Sequence, residues 1–387
     1  MHHVLSHATK QLYQHAAKPL LFKLHPDGVH RRLIRTGSVI QRSKLTNHIL
    51  RGAWAYQNPK ALSQTIHGIT FSNPIGLSAG FDKNFQLPPL LKSVGFGFME
   101  GGSLTLHECA GNPGPWFHRL PKTKGLVVNA GLANQGVDRI ISRLAAYLVN
   151  TFTDFPLNIS VAKTNSPDAC SETAAIADYI GSLKALKRAK LGDIYTLNIS
   201  CPNTYGGQPF TTPELLEKLL TAVDAIRLSA PVFIKMPAHL PWKEFKKLAD
   251  VAAKHSIAGL TISNLVYREQ IELKDPLPGS VKGKISGAAS AAIANNLIFR
   301  TRQAYGDHFI IIGVGGVFNA ADAYEKIKYG ANLVELITGM IFEGPQMVGQ
   351  INEELVALLK KDGLTNIGEA VGVAVSIGPG AAAKNQT

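Results

Sequence analysis

Residues 309–318 read Phe-Ile-Ile-Ile-Gly-Val-Gly-Gly-Val-Phe (FIIIGVGGVF). The run from Phe309 to Val314 is almost continuously apolar, as expected of a parallel strand covered on both faces, and the glycines after it turn the chain sharply. Two architectures place glycines after a buried strand. An open dinucleotide-binding sheet needs G-x-G-x-x-G, and Phe318 stands where its third glycine belongs. The cluster Gly95-Phe96-Gly97-Phe98-Met99-Glu100 fails the same check. The remaining architecture is a barrel, in which a glycine turn after the seventh strand is a place for a phosphate held by backbone N–H groups.

Seven further segments share this character: Asn73 to Ala79, Gly97 to Gly102, Pro156 to Ala162, Ile194 to Ser200, Val232 to Met236, Gly259 to Ser263 and Leu333 to Thr338. Helical spacing fills the gaps. In Thr212 to Leu228 one face carries Leu215, Leu216, Leu219, Leu220 and Val223; in Trp242 to His255 it carries Phe245, Leu248 and Val251. Thr212-Pro213-Glu214 reads as a cap with proline at the first helical position. Eight strands alternating with helices predict a (β/α)8 TIM barrel over residues 64–361. A helical extension, residues 1–63, is expected before it, and a disordered tail, residues 362–387, rich in Gly and Ala toward its end, after it.

With 387 residues, 45% of them hydrophobic, the chain can bury a large core. Cys109, Cys170 and Cys201 form no C-x-x-C pair, so neither a disulfide framework nor a metal site is expected. There is no G-x-x-x-x-G-K-[ST] and no H-E-x-x-H, which leaves nucleoside triphosphate and zinc-peptidase chemistry without support. The net charge is +13, of which residues 1–60 supply +9, from ten Lys or Arg against the single acid Asp27. The implied partner therefore belongs to the N-terminus; no nucleic acid is expected. No run of 18 apolar residues occurs, and the opening MHHVLSHATKQLYQHAAKPLLF lacks a secretory signal, although an acid-poor amphipathic start also suits an organelle presequence.

Polar or glycine residues accompany every predicted strand: Lys83 and Ser103 follow the first two, Asn158 sits in the third, and Asn198 with Cys201, Lys235, Ser263 with Asn264, Gly315 with Gly316, and Thr338 with Gly339 end the others. In a barrel these ends form the rim on which active sites are built. Gly315, Gly316 and Gly339 suit a phosphate-bearing cofactor. Lys235 suits stabilisation of negative charge on a flavin ring, or is a solvated lysine at a loop start. Asn198, Asn203 and Asn264 offer donors and acceptors to a flat ligand with alternating C=O and N–H groups. Cys201 is either an inert buried thiol or a general base whose pKa a nearby lysine draws toward working pH.

In order along the chain, NPIGLSAGFDKN (73–84), LNISCPNT (197–204), FIKM (233–236), TISN (261–264), KISGAA (284–289), IIIGVGGV (310–317) and GANLVELITGMIFEGP (330–345) resemble the FMN-dependent dihydroorotate dehydrogenases, over about residues 64–361. The resemblance implies FMN contacts at Ala79, Gly80, Lys83, Ser103, Asn158, Asn198, Lys235, Ser263, Gly287, Gly316, Ile337 and Thr338. It implies substrate contacts at Lys83, Asn198, Asn203 and Asn264, with Asn129 as a further position, and Cys201 as the base. It also implies oxidation of dihydroorotate to orotate on the route to UMP.

Cys201 and the following YGGQPF resemble the soluble branch, which uses fumarate or NAD. The extension PLLFKLHPDGVHRRLI (19–34) and ITGMIFEGP resemble the membrane-associated branch, whose base is serine and whose acceptor is quinone. The extension favours quinone and a peripheral site on the cytoplasmic side of the cell membrane, or on the mitochondrial inner membrane in a eukaryote. Two positions depart from the family pattern: Val128-Asn129-Ala130-Gly131 is one residue short of Asn-X-Met-Gly, and Leu265 replaces a hydroxyl. A related dihydropyrimidine is thus an alternative substrate, and a membrane-binding barrel without catalysis is the alternative of a different class.

Overall fold

The computed structural model describes residues 2–147, 151–201, 203–205 and 207–375. Eight strands close into a barrel in which each neighbouring pair is parallel: β1 Ile75–Leu77, β2 Phe98–Leu104, β3 Leu157–Val161, β4 Ile194–Asn198, β5 Val232–Lys235, β6 Ile257–Ile262, β7 Ile310–Val314 and β8 Leu333–Leu336. All eight lie within one or two residues of the segments expected from apolar continuity. The intervening helices include Pro213–Asp224, which buries Leu216, Leu219, Leu220 and Val223, and Trp242–Ala252, which buries Phe245, Leu248 and Val251. Thr212 does precede the first of these and Pro213 opens it, but the Thr212 side chain makes no capping bond.

Large side chains plug the N-terminal mouth of the barrel. Phe98, Ile194, Phe233, Ile312 and Leu333, at or near the start of their strands, pack with Phe71 from the hairpin Gln64–Ile66 and Ile69–Phe71. Glycine makes this possible at Gly76, where a Cβ would lie 2.3 Å from the Phe98 ring. Because one end is filled with aromatic rings, only the opposite rim remains open to a ligand.

Two additions cover that rim. The first is an antiparallel sheet of Phe117–Leu120, Gly125–Val128 and Lys284–Gly287. The second is the N-terminal extension, formed by α1 His2–Leu12, α2 Lys18–Lys23, α3 Pro26–Ile40 and α4 Lys44–Trp54, with a π-helical turn at Tyr13–Ala17 between the first two. Asp27 pins α3 to the sheet: its buried carboxylate accepts the Trp116 N–H at 2.9 Å and the Phe117 N–H at 3.0 Å. Tyr13 donates to the Ile341 carbonyl at 2.7 Å, fixing the start of the chain beside the eighth strand's loop.

Residues 362–375, expected as the beginning of a free tail, instead pack on the barrel. Ile367 and Ala370 are fully buried, and the Asn366 amide donates to the carbonyls of Lys60 and Ser63 at 3.0 and 3.1 Å. The apolar pair at the 3-10 turn Ile367–Ala370 carries the burial that a Gly- and Ala-rich reading of the tail overlooks. The remainder of the expected tail, 376–387, lies outside the described residues.

Candidate functional site

One cavity occupies the open rim and extends beneath α3. Ala79, Gly80 and Lys83 line it from the loop after β1, Ser103 from β2, and Asn198, Cys201 and Asn203 from the end of β4. Lys235, Ser263, Asn264, Gly287, Gly315, Gly316, Ile337, Thr338 and Gly339 complete the rim positions read from the sequence. Two expected residues stand apart from this wall. Asn158 is fully buried, with its carbonyl oxygen accepting the Thr196 hydroxyl at 2.9 Å and its amide nitrogen without a partner. Asn129 turns its carbonyl oxygen to the Asn112 amide at 3.0 Å.

The glycine turn after β7 has the conformation its sequence implies. Gly315 and Gly316 have φ of +106° and +74°, and a Cβ on Gly316 would lie 2.4 Å from Ala291 Cβ. The chain therefore passes close to the 3-10 turn Ala288–Ser290 and the helix Ala291–Tyr305, where only glycine fits. With Gly287, at φ +111°, the turn forms a backbone cradle at the seventh and eighth strand ends.

Amides and hydroxyls organise the middle of the site. Asn198 donates to the Ser103 hydroxyl at 2.8 Å, while its own carbonyl oxygen faces the Asn264 amide at 3.3 Å. Asn264 also donates to Ser200 Oγ at 2.9 Å, and Asn203 donates to the Val128 carbonyl at 2.9 Å. These bonds fix three amide side chains from two loops on the cavity wall, where together they offer donors and acceptors.

Both rim lysines are enclosed. Lys235 is buried, with Nζ 3.2 Å from Ser78 Oγ and 3.4 Å from Glu100 Oε1. Lys83 donates to the Gly80 carbonyl at 2.6 Å and lies over the Trp116 and Phe117 rings. Burial pushes the Lys83 pKa down to about 8, against the pull of Asp82 and Asp27. Neither is the solvated lysine of a loop start.

Cys201 departs from its expected state. As a residue it is partly exposed to the cavity, yet burial of the sulfur pushes its pKa up to about 11 rather than down toward neutrality. The Asn203 backbone N–H, Lys163 and Lys235 all act in the opposite direction and do not overcome desolvation. Lys163 was not singled out in the sequence, although a cation closing the apolar run Leu157-Asn158-Ile159-Ser160-Val161-Ala162 is a readable signal. Its Nζ donates to the Tyr205 carbonyl at 2.8 Å, tying the loop that carries the thiol to the end of β3.

Under α3 the wall becomes apolar. Val29 and Leu33 face Leu126 and Ile341 across the cavity, beside His30 and Arg119. His30 bonds the Phe81 carbonyl at 2.8 Å, and burial followed by the Lys83 charge lowers its pKa to about 4, so the ring is neutral. Arg119 donates to the Leu24 carbonyl at 2.7 Å and stacks its guanidinium 4.7 Å from the Phe22 ring centre. Val29, His30 and Leu33 lie in the stretch 19–34 already read as resembling the quinone branch, but a helix more than 160 positions before the thiol gives no local sign that it roofs the same cavity.

A closed barrel with glycine turns after strands seven and eight, amides and a thiol on the rim, and a helical roof defines a (β/α)8 barrel with its cavity at the C-terminal ends of the strands, the class of fold on which enzymes of this build carry their sites. The chain belongs to the dihydroorotate dehydrogenase family, whose model matches residues 61–359, and it is accordingly an oxidoreductase. Among its relatives is a protein named dihydroorotate dehydrogenase (quinone) from Acaryochloris marina, 35% identical over 93% of this chain and 99% of that one. A protein of the same name from Nostoc punctiforme is 33% identical over 94% and 98%. Among solved structures, that of DHODH from Eimeria tenella in complex with ferulenol superposes with a TM-score of 0.77 at 26% identity, covering 90% of this chain and 95% of the other.

Proposed function

We propose that this protein oxidises dihydroorotate to orotate in pyrimidine biosynthesis, using FMN and passing the electrons to a quinone at a membrane surface. The observation that carries this reading is the single cavity that joins the glycine cradle and the Cys201 thiol to an apolar passage under α3. A soluble acceptor such as fumarate or NAD would gain nothing from such a passage; an apolar quinone would be desolvated by it.

The residues present fit FMN. Gly287, Gly315 and Gly316 expose backbone to a phosphate, the unpartnered Asn158 amide is a donor held near the base of the rim, and Lys235 supplies a buried cation. Held there, FMN would supply hydride acceptance from C6 of dihydroorotate and onward transfer of the electron pair to quinone. The thiolate of Cys201 takes the C5 proton, so the C5–H bond breaks as an S–H bond forms. Asn198, Asn203 and Asn264 hold the ring of the substrate, and Lys83, kept beside the cavity by Gly80, offsets the negative charge of its carboxylate.

Membrane docking is assigned to the N-terminal extension. Of the twelve exposed large hydrophobic residues among those described, ten lie between Val4 and Ile49, including Leu12, Leu20, Leu45 and Ile49. With the surrounding cations they form a face suited to an anionic interface, and no helix among the described residues is long and apolar enough to cross a membrane.

Purified protein should be yellow and should bleach on anaerobic addition of dihydroorotate; a coloured protein that stays oxidised would refute the substrate. The bleached protein should recolour with a short-chain quinone, and rapid recolouring with fumarate or NAD alone would overturn the acceptor. Gly316→Ala forces a side chain into a left-handed backbone already in contact with Ala291, a strain of about 1–3 kcal/mol. It should copurify with at least about tenfold less flavin, measured by absorbance per mole of protein.

A further inference from the structure

Two acids lie inside the barrel beside the Lys235 ammonium, the one cation that answers them among the described residues. Glu100, on β2, and Glu335, on β8, are both fully buried. Lys235 Nζ reaches Glu100 Oε1 at 3.4 Å, and its other bond goes to Ser78. Glu100 Oε2 has no hydrogen-bond donor, Glu335 is met by no donor other than the Ser78 hydroxyl among the described residues, and Glu335 forms part of the cavity wall. An ionised carboxylate enclosed with so few donors is strongly unfavourable, and two such groups around a single ammonium cannot both be ionised cheaply.

We propose that Glu335 is a protonated acid in the resting enzyme, hydrogen-bonded to the Glu100 carboxylate, and that the Glu335–Glu100–Lys235 unit takes up or holds a proton in response to charge on the bound cofactor. The charged groups facing Glu335 are Glu100 and Lys235, and the neutral Ser78 hydroxyl donates to it. Burial raises the Glu335 pKa well above the ordinary carboxyl range and Glu100 raises it further, while Lys235 and the Ser78 hydroxyl oppose them without prevailing. With Glu335 neutral, the unit carries one negative and one positive charge. Added negative charge on a ring next to Lys235 makes loss of the Glu335 proton less favourable still. Glu335 would thus be a positioning residue for charge: it acts through Lys235 and keeps that cation available to the cofactor.

The inference rests on the FMN reading for its redox consequence but not for the proton itself, and the test separates the two. Infrared spectra of the full-length protein near neutral pH, compared with those of Glu335→Gln, should show a protonated-carboxyl carbonyl band that shifts in D2O and is missing in the variant. Glu100→Gln should also lose this band, because the lone remaining carboxylate then ionises against Lys235. Absence of the band from the wild-type protein would overturn the proposal whether or not flavin binds. A protein that shows the band but binds no flavin would refute the proposed function alone.

In the flavin-loaded protein, the cofactor's reduction potential should depend on pH with a segment of two protons per two electrons between the Glu335 pKa values of the oxidised and reduced states. Glu335→Gln should follow one proton per two electrons throughout and match the wild type below that segment. Parallel curves for the two proteins, or a higher potential for Glu335→Gln at neutral pH, would overturn the coupling, the latter because it would mean that the native Glu335 was already ionised.

Discussion

Cys201→Ala is expected to keep its flavin and its fold but to be reduced by dihydroorotate about 100-fold or more slowly than the wild type, in line with what a positioned general base contributes. The expectation follows from placement. Cys201 is the one thiol on the cavity wall, flanked by the Asn198 and Asn203 amides, whereas the Cys109 sulfur is buried against the Gly131 carbonyl at 3.5 Å and that of Cys170 bonds the Ser166 carbonyl at 3.3 Å. Stopped-flow bleaching under anaerobic conditions measures the step directly, and a variant that bleaches at the wild-type rate would remove the thiol from the mechanism.

The same thiol sets a pH dependence whose sign is determined. Its pKa is raised to about 11, so the proton-accepting thiolate is the minor form at neutral pH and grows about tenfold for each unit of rising pH below that value. The rate of bleaching at saturating dihydroorotate should therefore climb steadily between pH 7 and 9, with no plateau in that range, and Cys201→Ala should lose the slope. A plateau beginning near pH 7 would mean that the loaded site draws the thiol down further than Lys163 and Lys235 do here.

Val29→Trp should have the second large effect, and on the other half of the reaction. Val29 lies on the buried face of α3 and lines the apolar part of the cavity with Leu33 and Ile341. An indole at that position fills the passage while leaving the rim amides and the thiol untouched. Reduction by dihydroorotate should proceed normally, whereas recolouring by quinone should show a KM raised at least about tenfold, the loss of roughly 1.4 kcal/mol of binding. Normal flavin content and normal bleaching serve as the control that the barrel is intact. If quinone turnover were unaffected, the passage under α3 would not be the route of the acceptor.

Much of the architecture was legible from one-dimensional pattern because its cause is local. A strand buried on both faces must be apolar at nearly every position, and Ile194 to Asn198 or Ile310 to Val314 cannot meet that requirement in a helix shorter than two turns. The rim positions were legible for a related reason: a barrel sends all its strand ends to one side, so Lys83, Asn198, Lys235, Asn264 and Gly316 needed only the strand count to be brought together. Asn129 shows the limit of this reasoning. It sits beside the site in sequence pattern, but its carbonyl oxygen is taken by Asn112, a partner seventeen residues earlier in an irregular loop.

Residue type and order by themselves determined the barrel, the glycine cradle and the identity of the rim side chains, since each depends on periodicity or on backbone freedom within a few residues. What only the tertiary structure decided is the electrostatic state of those side chains. The extent to which Cys201 is desolvated, the burial of Glu335 beside Glu100 and Lys235, and the roofing of the cavity by Val29, His30 and Leu33 all depend on groups brought together from distant parts of the chain. Solvation and Coulomb interaction act through space, and sequence separation carries no measure of that distance.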